Sequence, residues 1–68
     1  MDSKTLDLHG VRHADVDRLV ENFVLLNNPP LTIITGNSDK MPELVLDVLY
    51  RHPNIEWERW GHAVWKIL

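Results

Sequence analysis

Apolar residues in this 68-residue sequence switch repeatedly between two spacings, and few folds are compatible with that alternation. Residues 5–9 alternate apolar and polar side chains and stop at Gly10, which is typical of a short half-buried strand. From His13 to Val24 the apolar residues recur every three or four positions, as they do on one face of an amphipathic helix. Residues 27–30 read N-N-P-P and end that helix, because proline has no N–H to donate.

The pattern of a strand followed by a helix occurs a second time. Residues 31–35 form a nearly continuous β-branched run, typical of a strand that is covered on much of both faces. After a loop over residues 36–41, Pro42 suits the first position of a second helix, whose apolar stripe ends near residues 52–53. The helical connection between the first two strands predicts that they are parallel neighbours in one sheet.

The last part of the chain predicts a hairpin. Residues 55–60 and 62–68 are two strand-like segments on either side of Gly61, so Trp57 and Trp65 are expected to lie near each other. The element order is therefore β-α-β-α-β-β. We predict an α/β fold, in detail an α+β two-layer sandwich with two helices on a mixed four-stranded sheet. A chain of 68 residues has room for one domain only.

The composition excludes several classes of protein and disfavours another. Without cysteine the chain has no disulfide and no Cys-rich zinc site. No segment approaches the ~20 apolar residues of a membrane span, and no apolar signal region follows the first residues, so we expect a cytoplasmic protein. The net charge is −3 and the seven lysines and arginines are scattered, which works against the basic surface that nucleic-acid binding requires.

Polar residues stand at the ends of the first two predicted strands. Asp7 and His9 are two residues apart, so they share the face of the first strand that lies opposite its leucines. Thr35 and Gly36 stand at the end of the second strand. Ligands of open α/β sheets gather beyond the carboxyl ends of parallel strands, and neighbouring parallel strands bring those ends side by side. The topology therefore predicts a working site where the two strands end.

The residues at these two ends resemble those of the Smr (small MutS-related) domain. Residues 6–10 read L-D-L-H-G and match in full the L-D-x-H-G motif that the family shows on its first strand. The family has an H-G-x-G or T-G-x-G loop after its second strand. Thr35 and Gly36 match that loop, whereas Ser38 stands at the position of the second glycine. The resemblance covers essentially the whole chain, down to its final strand.

Smr domains bind nucleic acid and act as nucleases that nick DNA or cut RNA, and the resemblance implies the same activity here. It implies catalytic roles for Asp7 and His9. The imidazole would serve as general base or acid, and the carboxylate would orient it or help to hold a divalent Mg²⁺ or Mn²⁺ ion. Backbone N–H groups of the loop and the Lys40 ammonium would contact the phosphate. The expected phosphate-contacting residues are Gly10, Thr35, Gly36, Asn37, Ser38 and Lys40.

We also predict whether several side chains outside these motifs are buried or exposed. We expect Trp57 and Trp65 in the core, and Trp60, beside the hairpin turn, exposed and able to stack on a base. Two further groups of side chains are expected to be solvated. They comprise His13, His52 and His62 at the surface, and Asp15, Asp17 and Glu21 on the outer face of the first helix.

A second function, which is not that of an enzyme, stays open. Ser38 in place of glycine, the negative charge of Asp39 and the overall acidity all oppose phosphate binding. The chain is then a non-catalytic protein-interaction module that keeps the same fold. A simple metal-binding role for Asp7 and His9 is weaker, because two ligands do not make a closed site.

Overall fold

The computed structural model describes residues 4–36, 39–61 and 63–68. The observed elements follow the predicted order β-α-β-α-β-β. Each predicted strand is longer than the observed one, because the first two strands end before the last residues of their predicted segments and the strands of the hairpin begin later than predicted. The elements are β1 (Lys4–Asp7), α1 (His13–Leu26), β2 (Leu31–Ile34), α2 (Met41–Tyr50), β3 (Trp57–Trp60) and β4 (Val64–Ile67).

The strands form one four-stranded sheet in the order β1-β2-β4-β3. β1 and β2 pair in parallel, whereas β4 runs antiparallel to both β2 and β3. The predicted mixed sheet with two helices is therefore confirmed, as is the parallel pairing of the first two strands. This pairing matters for the site, because it places the end of β1 beside the end of β2.

The core lies between one face of the sheet and the two helices. Both helices contribute residues at the spacing that the sequence predicts, and Met41, which we expected in the loop, is buried as the first residue of α2. The two helices pack against each other, and both bury side chains in the same core against the sheet. The fold therefore has two layers, one of strands and one of helices. The buried core residues are Leu8, Val16, Val20, Val24, Leu31, Ile33, Met41, Val45, Val48, Leu49, Trp65 and Ile67.

The opposite face of the sheet, which we call the open face, is not covered by a helix in the described part of the chain. The expectation that β2 is covered on much of both faces is confirmed at Thr32, which is buried on this side, whereas Ile34 is only partly buried. The Lys66 ammonium donates a 3.0 Å hydrogen bond to the hydroxyl oxygen of the buried Thr32 side chain. The strand register assigns eight residues to the open face: Thr5, Asp7, Thr32, Ile34, Glu58, Trp60, Val64 and Lys66.

Charged side chains join the two helices at the end of α2, where we had expected solvated residues. The Arg51 guanidinium donates to the Asp17 carboxylate, and the His52 Nε2 atom lies 3.2 Å from the Glu21 Oε1 atom. The hydrogen bond from Arg51 to Asp17 raises the pKa of the guanidinium above its ordinary value. The expected solvation of this helix face is confirmed for Asp17, whose side chain is 60% exposed, whereas Glu21 and the neighbouring His52 are only partly exposed because α2 ends beside them.

The hairpin contributes two aromatic rings to the core. The ring centroids of Trp57 and Trp65 are 5.4 Å apart, as the pairing of the hairpin predicts. Trp65 is fully buried, and the Arg59 guanidinium lies 4.8 Å from its ring centroid. Trp57 is partly buried and Trp60 is exposed, so the expected division between core and surface tryptophans is confirmed.

Candidate functional site

The end of β1 is anchored by a buried leucine. Asp7 is the last residue of β1 and is exposed, whereas the Leu8 side chain is fully buried. The Leu8 N–H donates a 2.8 Å hydrogen bond to the Ile34 carbonyl, so the contact with β2 continues one residue beyond the strand. His9 follows as an exposed residue. The anchoring of Leu8 therefore holds His9 just outside the core.

The chain turns sharply after His9, and the residues of the L-D-L-H-G segment explain the turn. The Val11 N–H donates a 3.0 Å hydrogen bond to the Leu8 carbonyl, which closes a four-residue turn. Gly10 occupies the third position of that turn with a φ of 76°, a conformation that favours glycine. An Asp7 Oδ1 atom accepts the His9 N–H at 2.9 Å. The Asp7 carboxylate thus positions His9 by holding the His9 backbone N–H.

The end of β2 is fastened to the hairpin. Both the N–H and the hydroxyl of Thr35 donate to the Ala63 carbonyl, at 2.8 Å and 3.2 Å. Thr35 is only 1% exposed. The Thr35 hydroxyl is therefore hydrogen-bonded within the fold, and the two bonds fix the point at which the loop begins at Gly36.

The two strand ends meet at His9 and Gly36. A Cβ atom built on Gly36 would lie 3.6 Å from the Nδ1 atom of the His9 imidazole. Gly36 has a φ of 72°, so its backbone adopts the left-handed conformation that side chains disfavour. The imidazole thus lies beside a backbone segment without a side chain, as the parallel pairing of β1 and β2 predicts. Asn37 and Ser38, which we expected in the same site, lie outside the described residues.

The loop leads into α2 through Asp39 and Lys40, both of which are exposed. The Lys40 ammonium forms a 3.1 Å ion pair with the Glu43 carboxylate, and Pro42 stands in the first turn of the helix. The predicted counter-charge for a phosphate is therefore shared with an acidic neighbour. The loop is followed directly by the N-terminus of the ten-residue α2, where the helix dipole places partial positive charge.

A divalent ion would find few protein ligands at this site. Within residues 4–36, 39–61 and 63–68 no group of three or more His, Asp or Glu side chains is arranged to hold a metal ion. Asp7 uses one carboxylate oxygen for the His9 N–H. Mg²⁺ commonly binds through one or two carboxylates, several waters and substrate phosphates. The donors present fit an ion of that kind, completed by water and substrate.

Trp60 does not belong to this cluster. It lies on the edge strand β3, and β2 and β4 separate it from β1. The Lys66 ammonium lies 5.4 Å from the Trp60 ring centroid, a contact that the sequence alone did not predict. The alternation of residues 64–67 could have indicated this contact, because it places Lys66 and the buried Trp65 on opposite faces of the sheet.

The chain matches no protein-family model, no curated protein and no solved structure. Among the described residues, no helix is both long enough and apolar enough to cross a membrane.

Proposed function

We propose that this chain is a cytoplasmic, Smr-like nucleic-acid-binding domain that hydrolyses a phosphodiester bond in RNA or DNA. The observation that carries the proposal is the position of the His9 imidazole beside the backbone of Gly36. An exposed proton-transferring side chain next to a stretch of backbone that a phosphate can approach closely is the combination that such a reaction needs.

Each residue of the site has a distinct part in this proposal. His9 transfers the proton, as base toward the attacking oxygen or as acid toward the leaving oxygen. Gly36 lets the phosphate approach its backbone, and the N-terminus of α2 adds partial positive charge. Asp7 positions His9 through its backbone N–H and has a second carboxylate oxygen left for Mg²⁺ or Mn²⁺. Such an ion would polarise the phosphate.

A cleavage assay with a matched histidine control tests this proposal. Wild type, His9→Ala and His13→Ala would each be incubated with labelled single-stranded RNA, structured RNA and supercoiled DNA, with Mg²⁺ or Mn²⁺. His13 is also exposed and stands at the start of α1. We expect cleavage by wild type and His13→Ala and none by His9→Ala. Equal cleavage by all three proteins would remove His9 from the proposed site.

A second candidate is a non-catalytic protein-interaction module. The observation that favours it is the charge around the loop, where Lys40 is paired with Glu43 and Asp39 is exposed, on a chain of net charge −3. Retention on heparin or on single-stranded nucleic-acid resin at low salt separates the two candidates. Retention supports the nucleic-acid proposal, and passage through both resins supports the interaction module.

A further inference from the structure

The open face of the sheet presents a continuous row of side chains that ends in an exposed tryptophan. Register pairs link Asp7 to Ile34, Ile34 to Val64, and Val64 to Trp60, so one residue from each strand lies in this row. Neighbouring strands are about 4.8 Å apart, which places Trp60 roughly 14 Å from Asp7. The row therefore runs from the His9 end of β1 to the far edge of the sheet.

The Trp60 ring is held in place although it is exposed. Trp60 is 58% exposed, and its indole N–H donates a 2.7 Å hydrogen bond to the Glu58 carboxylate. On the same face, the Lys66 ammonium lies 5.4 Å from the ring centroid and donates to the Thr32 hydroxyl. A fixed aromatic ring and a fixed cation are thus neighbours on a surface that no helix in the described part of the chain covers.

The Trp60 ring with the Lys66 ammonium beside it suits a single strand of nucleic acid. An exposed indole ring stacks on any base, because every base has a flat π-surface, and a cation next to it is placed to meet the phosphates. Half-buried Ile34 and Val64 provide apolar surface between the ring and the proposed site. Glu58 stands opposite Lys66 in the register and is engaged by the indole N–H. A duplex does not suit this surface, because its bases are stacked on one another.

We infer that the open face is a binding surface for single-stranded nucleic acid, on which Trp60 stacks against a base and Lys66 contacts a phosphate. This inference rests on the proposed function and adds its substrate class. A base on Trp60 lies across the sheet from His9. The phosphodiester bond at His9 therefore belongs to a different nucleotide of the same strand.

Binding measurements with aromatic controls test the inference. Wild type, Trp60→Ala, Trp60→Phe and Tyr50→Ala would be titrated into fluorescein-labelled oligo-U, oligo-dT and a duplex of equal length, with anisotropy as readout and probe integrity checked on gels. Tyr50 is an exposed ring on α2 and serves as the control. Circular dichroism would confirm that each variant is folded.

We expect Trp60→Ala to weaken single-strand binding by about tenfold or more, Trp60→Phe by a smaller factor, and Tyr50→Ala not at all. Wild-type binding that Trp60→Ala leaves unchanged would overturn the inference and leave the proposed function standing. Equal losses on duplex and single strand would also overturn it. A wild-type protein that binds none of the probes would overturn both proposals.

Discussion

The Nδ1 atom of His9 lies 3.6 Å from the point that a Cβ atom on Gly36 would occupy. These two residues follow different strands and are brought together by the parallel pairing of β1 with β2. The distance corresponds to ordinary van der Waals contact, so the space beside His9 would accept a methyl group. Glycine is favoured at position 36 by its backbone conformation, with a φ of 72°.

The first prediction separates backbone strain from the chemistry of the site. Gly36→Ala and Gly61→Ala each introduce a Cβ atom at a φ above 70°, so each is expected to lower the free energy of unfolding by about 1–2 kcal/mol. The Gly61 position has no heavy atom within 4 Å of the new Cβ atom. Urea unfolding measures both losses. Only Gly36→Ala should also reduce cleavage, and a similar reduction in Gly61→Ala would attribute the effect to instability.

The second prediction concerns the two roles of the Asp7 carboxylate. Asp7→Asn keeps an oxygen that accepts the His9 N–H, whereas Asp7→Ala removes that acceptor. We expect Asp7→Asn to unfold like wild type and Asp7→Ala to lose about 0.5–1.5 kcal/mol of stability. Both variants should lose cleavage, because neither keeps the negative charge with which Asp7 would hold the divalent ion. Full activity in Asp7→Asn would show that Asp7 acts only as a support for the His9 backbone.

The third prediction tests the structural role of Thr35. Thr35→Val removes the hydroxyl that donates to the Ala63 carbonyl but keeps the shape of a nearly buried side chain. The Thr35 N–H still satisfies that carbonyl, so we expect a loss of about 1 kcal/mol in unfolding free energy. Thr35→Ser, which keeps the hydroxyl, is the matched control. Loss of nucleic-acid binding by folded Thr35→Val would instead assign the hydroxyl to the ligand.

The fourth prediction concerns the ion pair between Arg51 and Asp17. Both side chains are about half exposed, so the pair contributes little and is screened by salt. We expect Arg51→Gln to lower Tm slightly at low salt, and the difference from wild type to disappear near 1 M NaCl. Arg18→Gln, which affects a pair within α1 alone, provides a comparison. A large loss that persists at high salt would contradict a simple surface pair.

Much of this fold follows from residue spacing alone. The two periods of the apolar residues predict every element, and the crossover helix predicts that β1 and β2 are parallel. That pairing is also why the meeting of His9 with the loop at Gly36 could be predicted without a structure. Strand lengths were overestimated, because apolar residues such as Leu8 remain buried after their strand has ended.

Contacts between distant residues were beyond the reach of the sequence. Arg51 and Asp17 are 34 positions apart, and nothing in either helix indicates where the other one ends. The burial of Thr35 depends on the carbonyl of Ala63, which belongs to the hairpin turn. Such contacts depend on how the elements are placed relative to one another, which the spacing of apolar residues does not encode.

The most direct test of the proposed site is to map where a nucleic acid touches the folded protein. Two-dimensional ¹H–¹⁵N spectra of the labelled chain would be recorded during titration with a short single-stranded RNA. We predict that the amide signals of His9, Gly10 and Gly36 shift with the added RNA. Shifts confined to the far end of the molecule, at Leu26 and Leu68, would contradict the proposed site.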